Sequence, residues 1–120
     1  MRFLWVAIAG AGGAVTRYAI GLAVGAHVFP WATMGINITG SFVLAFLVTA
    51  ATERRWPETL AIALTVGFVG AYTTFSTFSW ETLVLLRTDR LALAAVYAIG
   101  SFSLGLLAAW GGYTLARAAF

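Results

Sequence analysis

Four long apolar stretches follow one another along the chain, with only three short polar interruptions. The stretches cover about residues 3–25, 33–51, 60–86 and 91–115. At 1.5 Å per helical residue, each can cross a hydrocarbon core of about 30 Å. The runs are continuous and do not alternate, which favours helices over the strands of a barrel. The interruptions are AHVFPWA (26–32), TERRWPET (52–59) and RTDR (87–90). They carry Pro, His and charged residues, as connections at a membrane surface should. The reading is an all-α integral membrane protein: one domain of four transmembrane helices in 1–120, set in a lipid bilayer.

Composition closes off the alternatives. Hydrophobic residues make up 62% of the 120 and charged residues only 9%. A soluble domain carries about 25% charged residues, so this chain could not cover its own surface with polar groups. It has no cysteine and one histidine, His27, which excludes disulfides, thiolate metal sites and histidine clusters. The net charge is +3, but the arginines sit mostly at segment ends and not on one patch. They suit cationic anchors at a membrane, not a nucleic-acid surface. The opening MRFLWVAIAGAGGA resembles a secretory signal, but the apolar run continues to Val24 and reads as the first membrane helix.

The third stretch is longer than a straight crossing needs. Its middle, GFVGAYTTFSTFS (67–79), sets two glycines before a run of hydroxyls. A glycine pair beside a threonine pair invites a helix break, acceptable in a membrane where protein covers the freed backbone. A break near Gly70–Thr74 is expected. Four helices enclose little volume, so a pathway through them calls for an oligomer. With an even number of spans, Arg2, Arg54, Arg55 and Arg117 fall on one side and Arg87 and Arg90 on the other. So mild a bias permits insertion both ways round, and with it an antiparallel dimer.

Ionisable groups within spans are costly and are functional by default. Arg17 lies well inside the first span, where its guanidinium can pin a helix or set a positive potential. Glu81 lies near the end of the third and reads equally as interfacial. Asn37, in GINITGS (35–41), can bond a neighbouring helix or aim a donor into an aqueous vestibule. Tyr97 and Ser101 are four apart and share a helix face, which Gly105 continues. Phe75 and Phe78 also share a face. One reading of TTFSTFS (73–79) is packing rings plus hydroxyls bonded back to the helix. The other is a lined pathway: hydroxyls donate to an anion, and phenyl ring edges, positive in the ring quadrupole, meet it as well.

Together GGAVTR (12–17), GINITGS (35–41) and GFVGAYTTFSTFSWE (67–81) resemble the small fluoride channel family, Fluc, also called CrcB. The likeness covers essentially the whole chain. It implies antiparallel, dual-topology homodimers that export fluoride passively through two pores in the bacterial cytoplasmic (inner) membrane. Phe75 and Phe78 match the ring pair of the pore, with Ser76 and Thr77 beside them. Asn37 matches the vestibule asparagine, and Thr33, Tyr97 and Ser101 match a polar track. Gly105 stands where that track has another hydroxyl. Arg17 and Glu81 match supporting polar positions. A structural sodium ion, not transported, is implied at the dimer centre on the backbone carbonyls of Gly70 and Thr73. The rival reading is a small multidrug-type exporter of cations against protons. It needs a carboxylate deep in the first span, where this chain has Arg17. No nucleophile–base pair suggests an enzyme.

Overall fold

The computed structural model describes all residues, 1–120. It is entirely helical. Helix α1 spans Arg2–Val24 and α2 spans Trp31–Glu53. The third crossing has two halves. Its first, α3 (residues 58–72), starts as Glu58–Ile62, widens into a π-helical stretch at Ala63–Val69 and ends in the turn Gly70–Tyr72. Its second half, α4, is Phe75–Arg87, and α5 is Leu91–Ala119. The four expected spans are thus four apolar helical crossings; the first equals its apolar run in length and the other three are a few residues longer. The π stretch was not expected.

The break lies at Thr73 and Thr74, both extended (φ −80°, ψ 157° and φ −151°, ψ 115°). It therefore falls on the threonine pair. Gly70 is helical at φ −60°, ψ −35°. The glycine that ends a helix through its own backbone is Gly25, at φ 77° after α1, a conformation that L side chains avoid.

The molecule is a slab of 49 × 31 × 20 Å. Its short axis is about two helix diameters. The closest neighbours are α2 with α5 and α1 with α3, and α4 lies against α5. Small residues allow these approaches, as in other membrane helices. A Cβ on Gly13 of α1 would collide with the Phe68 carbonyl of α3, so this helix pair packs backbone against backbone.

Only 14 of 120 residues are buried, and large apolar side chains cover the outside. Water would expel such a surface, whereas lipid or another protein would accept it. The charged ends sort as the arginine count implied. Arg2 pairs with Glu58 at 3.0 Å and Arg117 with Glu53 at 2.7 Å. Such exposed pairs are worth little energy. They place the start of α1, the end of α2, the start of α3 and the end of α5 at one face.

Candidate functional site

A broken helix leaves orphan backbone groups, and the way each is satisfied defines the centre of this protein. The Arg17 Nε donates to the Ala71 carbonyl at 3.1 Å. A cation at the C-terminal end of a half-helix is also favoured by the helix dipole. Across the break, Asn37 Nδ2 donates to the Thr74 carbonyl at 3.0 Å, and the Thr74 N–H donates to Asn37 Oδ1 at 2.8 Å. One amide thereby satisfies both backbone groups of one extended residue, and its orientation is fixed by that pairing. Its second N–H remains free.

Thr74 also starts α4. Its Oγ1 accepts the Thr77 N–H at 3.2 Å, the usual service of an N-capping threonine. The same oxygen bonds the Thr77 hydroxyl at 3.0 Å and lies 3.3 Å from that of Ser76. Two consequences follow. In an unbroken helix the N–H groups of Thr74 and Thr77 would close on the carbonyls of Gly70 and Thr73. Here both are turned elsewhere, so those two carbonyls lose their helical donors. The hydroxyl run also divides. Thr73, Ser79 and Thr82 bond back to the carbonyl four residues earlier. Ser76 and Thr77 each bond Thr74 instead.

Two cavities meet at this cluster, and Thr74 lines both. The wider, about 510 Å³, opens between the α1–α2 connection, α2 and α4; Arg17, Thr33, Thr77, Trp80 and Glu81 line it. The narrower, about 320 Å³, is lined by Asn37, Ser41, Thr73, Phe75, Phe78 and Ser101. No charged side chain lines it. The ring centroids of Phe75 and Phe78 are 5.8 Å apart. Phe78 is partly buried against α5, whereas Phe75 is 79% exposed.

Of the residues singled out in the sequence, Asn37, Phe75, Phe78 and Ser101 thus share one cavity. Arg17, Thr33, Thr77 and Glu81 share the other. Ser76 and Tyr97 line neither. The Tyr97 hydroxyl donates to Glu81 Oε2 at 2.6 Å, and the Thr33 hydroxyl to Oε1 at 2.8 Å. Glu81 is therefore held by two hydroxyls and does not stand free at the interface. The fully buried Tyr97 ring meets Phe78 edge-on at 5.1 Å and Phe29 at 5.6 Å. Its geometry suits positioning the Phe78 ring.

Sequence reasoning passed over Ser41 and Thr74. A threonine just before a helical run is an N-cap signal, so Thr74 was findable. Ser41 reads as one more small residue in a span. Only the cavity it lines distinguishes it.

Residues 4–113 match the family model described as CrcB-like protein, Camphor Resistance (CrcB). The chain is 48% identical over 121 residues to a protein of Geobacillus kaustophilus (strain HTA426) named fluoride-specific ion channel FluC 2, across 98% of this chain and 94% of that one. It is 40% identical to the fluoride-specific ion channel FluC of Solibacter usitatus (strain Ellin6076), across 98% and 99%. It is 43% identical to the FluC of Magnetococcus marinus (strain ATCC BAA-1437 / JCM 17883 / MC-1), across 98% of each.

Proposed function

Because the chain belongs to the CrcB-like family, we propose that it is a fluoride channel that lets the ion leave the cell passively down its electrochemical gradient and so lowers cytoplasmic fluoride. It is a multi-pass membrane protein, in a bacterium one of the cytoplasmic membrane. The observation that carries the chemistry is the narrower cavity. There an amide, hydroxyls and two phenylalanine rings meet with no fixed charge. A small hard anion gives up water only to donors that replace it. Hydroxyls and ring edges do so without the deep trap that a cation would make. Arg17 stands in the wider cavity, where its guanidinium is a cation an approaching anion can meet. The Glu81 charge is engaged by Thr33 and Tyr97. The multidrug-type alternative is not favoured: the relatives are named as fluoride channels and the first span holds no carboxylate.

The working unit in this proposal is an antiparallel homodimer. What supports it is a 79% exposed Phe75 beside the narrower cavity, which leaves that wall open in one subunit. The small difference in arginines between the two faces also supports it. A structural sodium ion fits the break. The Gly70 and Thr73 carbonyls, deprived of their helical donors, are hard oxygen ligands of the kind such a cation takes. Those residues from two subunits would hold it, and the ion would tie the subunits together.

The test of function is efflux from liposomes holding fluoride and chloride, read with ion-selective electrodes while a potassium ionophore relieves the voltage. Rapid loss of fluoride with chloride retained is the expected result. Retention of both by a folded protein would remove the channel reading. The dimer has its own test. Labels on either terminus should be reached from both membrane faces in cells, and a single orientation would sink the antiparallel arrangement for a chain acting alone.

A further inference from the structure

We propose that the Ser41 hydroxyl is a further fluoride ligand, acting beside Ser101 in the narrower cavity. This rests on the fluoride reading and names a ligand within it. The first observation is an unpartnered donor. Ser101 Oγ is buried and has no hydrogen-bond partner. Such a hydroxyl is costly unless something else in the cavity uses it. The second is a gap. Gly105 lies one helical turn beyond Ser101 on the same face and presents no side chain. A Cβ built there meets one neighbour, Ser41 Oγ, at 3.6 Å. The face of α5 thus stops offering hydroxyls where α2 supplies one.

The third observation concerns the proton. Ser41 donates to the Asn37 carbonyl of its own helix at 2.7 Å. A carbonyl inside a helix also accepts the backbone N–H four residues on, so it does not depend on the hydroxyl. A hydroxyl hydrogen turns freely about its C–O bond. Bonds to an ionised acceptor are about twice as strong as neutral ones, so an arriving anion draws the Ser41 proton away from the carbonyl. When the ion leaves, the hydroxyl returns to Asn37. Ser41 is therefore solvated in both states and adds no trap to the path.

The test is a compensation experiment in the same liposomes, with the native protein alongside. Ser41→Ala should slow fluoride efflux at least about tenfold, as the loss of one hydrogen bond to a charged group implies. Adding Gly105→Ser to that variant should restore efflux to within about twofold, because the new hydroxyl rises from the other side of the same gap, which has room for its Cβ. Gly105→Ala in the same background fills the gap without a hydroxyl, so it should leave the loss unrelieved if the donor and not packing is what counts. Ser41→Cys keeps the shape with a weak donor and should also slow efflux, which covers the case in which the alanine variant does not fold. Native efflux in Ser41→Ala or Ser41→Cys, or a loss that Gly105→Ser leaves unrelieved, overturns the proposal. A native protein that carries no fluoride overturns it together with the channel reading, whereas the first outcomes leave that reading standing.

Discussion

Asn37→Asp is expected to lower fluoride efflux by at least about a hundredfold while the protein still assembles. The substitution changes one atom type. A carboxylate oxygen can still accept the Thr74 N–H, now at 2.8 Å from Oδ1. The other oxygen replaces the Nδ2 donor that lies 3.0 Å from the Thr74 carbonyl. Two acceptors then face each other, and a negative charge lines the narrower cavity. Two like charges about 4 Å apart repel by about 4 kcal/mol at an effective dielectric of about 20. Each ~1.4 kcal/mol added to a barrier slows passage tenfold. Asn37→Ala separates the two effects, since it removes the clasp without adding charge. It should lose stability, as orphaned backbone groups cost about 1–3 kcal/mol each, yet conduct better than the aspartate variant. Efflux from liposomes and thermal unfolding in detergent measure the two. Efflux in Asn37→Asp equal to native would leave Asn37 as a helix-packing residue only.

Phe78→Ile should reduce efflux at least about tenfold with little loss of folded protein. Isoleucine keeps much of the apolar bulk, and hydrophobic replacements of similar volume cost less than about 1.5 kcal/mol. What goes is the ring. Phe78 packs at a steep angle on Tyr97 at 5.1 Å and lies 5.8 Å from Phe75, so its orientation is set by two rings, and it lines the cavity. Isoleucine has no quadrupole and offers a desolvated anion only alkyl surface. Phe46→Ile is the control, because that ring packs on Phe120 at the far end of α2. Its efflux should match native. Equal efflux in all three proteins would remove the ring edge from the mechanism and leave the hydroxyls and the amide to carry it.

Much of this protein is legible in one dimension, and particular residues show why. The ends of α1, α2, α4 and α5 fall within a few residues of the apolar runs, because a bilayer demands a minimum length of continuous apolar helix. The break was legible because a Gly pair and a Thr pair crowd residues 67–74. Its exact place was not, since Gly70 stays helical and the extended residues are Thr73 and Thr74. The reason is a partner distant in sequence: Asn37 offers Thr74 a better pairing than the helix would. The role of Glu81 was open for the same reason. Thr33 and Tyr97 reach it from two other helices, and no local pattern announces a three-helix contact.

Sequence alone therefore determined the solvent, the number of crossings, the sidedness of the arginines and the supply of hydroxyls and rings. These depend on composition and local order, which a linear chain displays. Tertiary structure alone decided which of those groups meet. It joined Ser41 of α2 to the bare face at Gly105 of α5, placed Tyr97 behind Phe78 and outside both cavities, and freed the Gly70 and Thr73 carbonyls by turning their donors away. Such meetings depend on distance and direction between helices, which side-chain identity limits but does not specify.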